Sequence, residues 1–341
     1  MRVRTIRRDD LPAMTALVQS AGVGLTSLPS NVERLRQRIE RSEAALTGEA
    51  ERADAEYLFV LEDTPQQRVV GLCGIVAAVG LRSPWYHYRI GLSVHASREL
   101  GIYRRLQTLF LTNDLTGCSE LCSLYLHPDY RHSQNGSLLS KSRMLFLAEY
   151  PDRFAGTVIA EMRGVSDSEG RSPFWDALGA RFFRMAYSQA DYLSGVGDKS
   201  FIAELMPQHP VYTAMLSAEA CAAIGEVHPH TRPARAMLAG EGLRPIGYVD
   251  IFDAGPTLAA EREQIRAVRD SRILAWRPAS LPGAGAKWLV SNRRPDVFRV
   301  VLAAGPPVDG VMPLSDAAIR QLGLQGGDTV RAVPLTATGD E

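Results

Sequence analysis

The densest chemistry in the 341-residue sequence lies between residues 119 and 147. Leu121 to Leu126 reads as a strand. It ends at His127-Pro128-Asp129, turns through Arg131 to Gly136, and enters a helix whose apolar positions are Leu138, Leu139, Met144, Leu145 and Leu147. Such a turn aims backbone N–H groups and the positive end of a helix dipole at one point, an arrangement suited to a pyrophosphate. A glycine at 136 leaves that space free of a side chain. His228, in Val227-His228-Pro229, is one of seven histidines, a residue type able to move a proton because it titrates near 6.5, and a lone loop histidine taken by itself reads as a surface residue. It precedes an expected helix capped by Thr231, with Pro233 in the first turn, and the positive helix potential there favours a neutral ring.

Other reactive residues read more plainly. Cys118 and Cys122, with His127 and His132 nearby, match no recognised zinc spacing and are read as small buried hydrophobes, so no metal site is expected. As an acyl-carrying nucleophile either thiol would need a base and a depressed pKa. Gly195-Val196-Gly197 lacks the third glycine of a dinucleotide fingerprint.

The elements that must position these residues follow from periodicity. Val3 to Ile6 reads as a strand, followed by Asp10 as an N-cap and a helix with Leu11, Met14, Leu17 and Val18 on one face. A second helix starts at Ser30, in a capping box with Glu33, and runs to Gly48. Tyr57 to Leu61 and Val69 to Val79 form a hairpin about a turn at 64–67, and Thr157 to Met162 is a further strand. Two helix-to-strand units begin at Ser172 and Thr231, either of which could complete the main sheet. Beyond Pro256 a charged helix at 257–270 is expected, then Gly- and Pro-punctuated strands and a short helix from Ser315 to Leu322. The length favours two units: 1–255, and a small β-rich C-terminal subdomain at 256–341.

Composition excludes several function classes. Lys+Arg and Asp+Glu are both 38, which removes the electrostatic footprint of a nucleic-acid or membrane-surface binder. The hydrophobic share of 45% and charged share of 22% are those of an ordinary globular protein. No run approaches the roughly 20 apolar residues of a membrane helix. MRVRTIRRDDLP lacks the apolar core of a secretory signal, so a cytoplasmic location is expected. The four cysteines are too few for a disulfide framework and are expected to be reduced.

Arg131 and Gly136 resemble the acyl-CoA turn of the GNAT superfamily, which has Arg or Gln, two residues, Gly, one residue, then Gly or Ala. Gln134 stands where the first glycine is usual. The resemblance implies an α/β (α+β) acyl-CoA N-acyltransferase fold with a mixed, mostly antiparallel sheet. A closer one spans nearly the whole chain. The segments GLTSLPSN (24–31), SPWYHYRIG (83–91), VHAS (94–97), NDLTGCSELCSLYL (113–126), NGSLLSKSR (135–143), AEMRGV (160–165), FIAELMPQHPVY (201–212) and VHPHTRPAR (227–235) are similar to arginine N-succinyltransferases.

That resemblance implies transfer of succinyl from succinyl-CoA to the α-amino group of L-arginine. His228 would be the catalytic proton-transfer residue and Leu124 a succinyl-CoA contact. With the turn, the expected donor-binding set is Leu124, Leu126, Arg131, Asn135 and Gly136. Succinyl-CoA is then a co-substrate, no cofactor is tightly bound, and the chain forms a homo-oligomer or pairs with a similar subunit. An arginine pocket needs acids for the guanidinium and donors for the carboxylate. Asp114, Glu120, Glu161 and Asp250 are candidates for the first, Arg89 and Arg163 for the second or for the succinyl carboxylate. Another acyl donor, another amine such as ornithine, or a non-catalytic subunit remain as alternative readings.

Overall fold

The computed structural model describes residues 1–21, 31–167, 169–196, 200–279 and 285–337. Fifteen strands occur in chain order: β1 (Arg2–Thr5), β2 (Glu56–Asp63), β3 (Arg68–Val76), β4 (His87–Ser97), β5 (Ile102–Thr112), β6 (Ser119–Leu126), β7 (Thr157–Glu161), β8 (Val211–Tyr212), β9 (Arg244–Val249), β10 (Pro256–Glu261), β11 (Arg272–Pro278), β12 (Lys287–Ser291), β13 (Arg299–Ala304), β14 (Val311–Leu314) and β15 (Val330–Pro334). They run in the order β14-β11-β15-β12-β13-β1-β2-β3-β6-β7-β10-β9-β4-β5-β8. Pairing is antiparallel except for β6 with β7 and β11 with β14, so the sheet is mixed and mostly antiparallel.

Alternation along β2 shows how the sheet is clad. Tyr57, Phe59 and Leu61 point to one face, where they meet the helix α3 (Asn135–Glu149). Leu58 and Val60 point to the other, against α1 (Leu11–Ala21) and α2 (Val32–Thr47). Because both faces are covered, β2 and β3 read as continuous apolar runs. On the α3 side Phe146 packs against Phe59 at 5.1 Å and Phe298 at 5.0 Å, ring centroid to centroid. α3 is therefore buried nearly all round, including its cations. Lys141 donates to Glu241 at 2.8 Å and to the Leu335 carbonyl at 2.7 Å, and Arg266 meets the same Glu241 at 2.6 Å. This network ties the helix to the chain's last strands.

Several expectations need correction. Asp10 closes a 3-10 turn ahead of α1, accepting from the Arg7 N–H at 2.8 Å and pairing with Arg4 at 2.7 Å, rather than capping α1 itself. α2 is capped by Asn31, whose side chain accepts from the Arg34 N–H; Ser30 lies outside the described residues, as does most of the quoted segment 24–31. β3 ends at Val76 rather than Val79. No helix spans 257–270: Pro256–Glu261 is β10, hydrogen-bonded between β7 and β9, and only a 3-10 turn at Arg262–Gln264 and one α-helical turn at Arg266–Arg269 are helical. Burial of Thr257, Leu258 and Ala259 between neighbouring strands overrides the helical propensity of Leu-Ala-Ala. Of the two helix-to-strand units, the second completes the sheet, because the helix Arg232–Gly240 leads into β9. The first continues into further short helices.

Candidate active site

The cavity exists because two strands part. β6 and β7 pair only at Ser119 with Val158 and Glu120 with Ile159, then diverge. On its other side β6 slips register against β3 between Leu72 and Gly74, and Ser123 takes a positive φ of 57°. The bulge bends the strand away from β7. A cavity of about 650 Å³ opens there, walled by Leu121 to Leu126 on one side and Ala160 to Arg163 on the other.

The start of α3 forms the donor end. Ser133 and Gln134 have φ of 52° and 66°, so Gln134 holds the left-handed conformation that the usual glycine would adopt freely. The turn is braced by Arg131 Nε on the Leu126 carbonyl at 3.0 Å and Asn135 Nδ2 on the Tyr130 carbonyl at 3.0 Å. The Asn135 N–H goes to the His132 carbonyl at 3.1 Å, and the first helical bond is Leu138 to Gln134. Gly136 and Ser137 sit in the first turn, whose N–H groups have no intrahelical acceptor. A Cβ at Gly136 would meet only Leu126 Cδ2, at 3.9 Å. All five residues of the expected donor set line this one cavity. Arg131 and Asn135 brace the turn, whereas Gly136 leaves room in it.

The opposite end is acidic. Glu161 accepts from Trp85 Nε1 at 2.9 Å and bonds the fully buried His87 through the same oxygen. Asp250 accepts from the N–H groups of Phe252 and Asp253 at 2.7 and 2.9 Å. Asp253 accepts from Gly255 and Gly164 at 2.8 and 2.7 Å and from the Tyr187 hydroxyl. Burial, then the neighbouring Glu161, raises the pKa of Asp250; burial, then Asp250, raises that of Asp253 well above the usual range. Glu120, Asp191 and Arg163 complete the wall. Of the sequence candidates, Glu120, Glu161, Asp250 and Arg163 thus converge. Asp114 and Arg89 do not: they pair with each other at 3.7 Å near the surface, away from the cavity wall.

His228 borders the cavity without lining it. Its N–H donates to the Arg163 carbonyl at 2.9 Å, and its ring stands 4.9 Å from that of His230, which does line the wall. His228, rather than Thr231, caps the following turn: Nδ1 accepts from the His230 N–H at 3.2 Å. Burial, then the Arg163 guanidinium and His230, lowers its pKa below 6.5. A neutral ring with Nδ1 accepting carries its proton on Nε2. The sequence reading missed Asp191, Asp253, Tyr187, His230 and Arg143, all on the cavity wall. Only Asp253 had a local signal, three residues past Asp250 and two before Gly255.

Among the described residues no group of three or more His, Cys, Asp or Glu is arranged to hold a metal ion, and no helix is long and apolar enough to cross a membrane. Burial raises the thiol pKa of Cys73 and Cys122, to about 12 and about 11.

Comparison with known proteins adds independent findings. Residues 1–267 match the family model described as arginine N-succinyltransferase beta subunit, and residues 271–334 the model of its C-terminal domain. The chain is 54% identical over 338 residues to arginine N-succinyltransferase subunit beta of Pseudomonas aeruginosa, covering 99% of each. It is 50% identical over 338 residues to the arginine N-succinyltransferase of an Enterobacter species, covering 98% of each. A solved structure titled arginine/ornithine succinyltransferase subunit AI from Pseudomonas aeruginosa superposes with a TM-score of 0.91 at 37% identity, covering 99% of both chains.

Proposed function

The chain belongs to the arginine N-succinyltransferase family, and from that premise we propose that it transfers the succinyl group of succinyl-CoA to the α-amino group of L-arginine, yielding N2-succinyl-L-arginine and CoA. The fold is GNAT-like, and an acyl-CoA is the co-substrate. The observation that carries the reading is one cavity with a helix-start cradle on one wall and Glu161, Asp191, Asp250 and Asp253 on another. The first suits a pyrophosphate, the second a guanidinium. The same acids suit the side-chain ammonium of ornithine, which enters as a second substrate.

In this reading Gly136 and Ser137 offer N–H groups to the pyrophosphate, and the pantetheine arm lies along the edge of β6 that β7 leaves free at Leu124 and Leu126. Attack by the amine expels CoA thiolate after a tetrahedral oxyanion forms. The amine must shed a proton before attack, and the departing sulfur must gain one. Nε2 of His228 is the ring atom left for chemistry, and in the neutral ring it is a donor, suited to the charge developing on the thioester. Glu161, held by Trp85 and His87, is the carboxylate placed to take protons from the amine: the first, shed before attack, passes on to solvent, and the second, shed as the amide forms, is handed to the departing thiolate.

We further propose a cytoplasmic enzyme without a tightly bound cofactor, assembled as a homo-oligomer or with a similar subunit. We also propose that the C-terminal β-rich unit begins not at residue 256, where β10 still pairs with β7 and β9, but after Arg269, a reading supported by the gap between the two family matches. The test is release of free thiol from succinyl-CoA by the purified chain. L-Arginine should be required; equal release from acetyl-CoA, or none with any basic amino acid, would sink the substrate assignment.

A further inference from the structure

Succinyl-CoA differs from the common acyl donors by one distal carboxylate, and the cavity must hold a cation for it if the donor is to be selected. Three arginines on the wall lack a carboxylate partner at ion-pair distance among the described residues, Arg131, Arg143 and Arg163; Arg131 is exposed and is spent on the Leu126 carbonyl in the donor turn, which leaves two. They stand on different sides. Arg163 follows β7, next to His228 and the acids, where the amino-acid substrate would lie.

Arg143 is on α3, the helix whose first turn forms the donor cradle, about 10 Å along the axis from Gly136. Its side chain returns to the bulge. Nη1 donates to the Cys122 carbonyl at 3.2 Å and weakly to that of Gly74 at 3.5 Å, while Nε and Nη2 bond the carbonyl and hydroxyl of Ser140 at 3.0 Å. The Cys122 carbonyl lies beside Ser123, where β6 skips its register with β3. Arg143 is 1% exposed and all its hydrogen bonds go to neutral acceptors, so its positive charge sits in the interior without an ion pair, offset only from beyond ion-pair distance by the Glu120 carboxylate. A buried charge without an opposite partner is costly and is rarely kept without a use. Burial accordingly lowers its pKa.

We propose, building on the succinyl transfer argued above, that Arg143 is the specificity residue for the acyl donor, its guanidinium binding the distal carboxylate of the succinyl group where β6 bulges away from β7. The anion completes an ion pair for which the protein supplies only one half. The five-donor fork of arginine can hold a carboxylate while keeping its bonds to Ser140 and Cys122. An acetyl or butyryl group offers no such partner and leaves the charge unpaired.

The test compares succinyl-CoA with butyryl-CoA, which has the same chain length and no carboxylate. Dissociation constants come from calorimetry and kcat/KM from thiol release with L-arginine. The wild type should bind succinyl-CoA on the order of a hundredfold more tightly than butyryl-CoA, the scale of a buried charge pair. Arg143→Met should erase that gap by weakening succinyl-CoA alone, and Arg143→Lys should keep much of it. Arg163→Met, which does not depend on the Arg143 variants folding, should preserve the gap and raise the KM for arginine. Equal weakening of both donors in Arg143→Met, a gap that survives it, or a gap that follows Arg163 would overturn the proposal. A wild type that binds succinyl-CoA selectively yet transfers to no basic amino acid would instead refute the assigned reaction.

Discussion

Gly136 offers the cleanest perturbation of the donor cradle, because its effect on folding and its effect on binding have opposite signs. Its φ is not in the left-handed region, and a Cβ there would touch only Leu126, at 3.9 Å. Gly136→Ala should thus stabilise α3 by about 0.5–1 kcal/mol. Gly136→Asp should gain about 0.3–1 kcal/mol more from the helix dipole. Toward the pyrophosphate the aspartate is unfavourable. Two like charges about 4 Å apart repel by about 1 kcal/mol in bulk water and about 4 kcal/mol at an effective dielectric of about 20. Donor affinity should fall by between about fivefold and several hundredfold, since about 1.4 kcal/mol is a factor of ten. The assay is a melting curve beside the KM values for succinyl-CoA and arginine. The aspartate variant should melt no lower than the parent, show a raised donor KM, and leave the arginine KM nearly unchanged. A donor KM that does not move in this well-folded variant refutes the placement of the pyrophosphate.

Further outcomes follow from the acceptor side. His228→Ala should lower kcat by on the order of a hundredfold or more while donor binding holds, the scale of losing an oxyanion donor. His228→Gln, which keeps an N–H, should recover part of the loss; if it does not, and alkaline pH rescues the alanine variant instead, the ring is a base. The lowered His228 pKa keeps the ring neutral at pH 6.5 and somewhat below; because Nε2–H survives protonation, the donor role gives no acid limb from this ring in the kcat/KM profile, and a limb below pH 6.5 that vanishes in His228→Gln would mark the ring as a base. Its stabilising contribution is present above pH 6.5 and is lost as pH falls through the lowered folded value. Asp250 and Asp253 have the opposite sign: with pKa values raised above 3.8, their contribution is present below pH 3.8 and lost as pH rises through the folded values. A bound guanidinium relieves that loss, so arginine should raise the Tm more at pH 7 than at pH 4; an equal shift at both would place the side chain elsewhere.

What could be read in the sequence was what local chemistry writes there. The apolar run of β6, the Pro-Asp turn and the apolar face of α3 are short-range signals, and Arg131 and Gly136 could be named from them as donor-turn candidates, whereas Leu124 came only with the family resemblance. The bulge at Ser123 was not legible, because a positive φ at a serine is imposed by the register of β3 and not by its own propensity. Nor was β10, whose Leu-Ala-Ala is helical by propensity and a strand by burial. The acids of the cavity come from β6, β7, the helix Tyr187–Val196 and the turn after β9, elements far apart in sequence that only the sheet order brings together. Glu120, Glu161 and Asp250 could be guessed singly, but Asp114 looked no different from them.

Arg143 shows the limit most clearly. On a helix expected to be amphipathic, an arginine reads as part of the solvated face. α3 has no solvated face in its middle: β2 and β3 cover one side, and the C-terminal strands, with Glu241 and Arg266, cover the other. The network that satisfies Lys141 supplies Arg143 with no carboxylate, although both lie on the same buried helix two residues apart. A protein able to neutralise one interior cation so fully, yet leaving its neighbour on neutral acceptors at the wall of the cavity, reserves the second charge for what enters there.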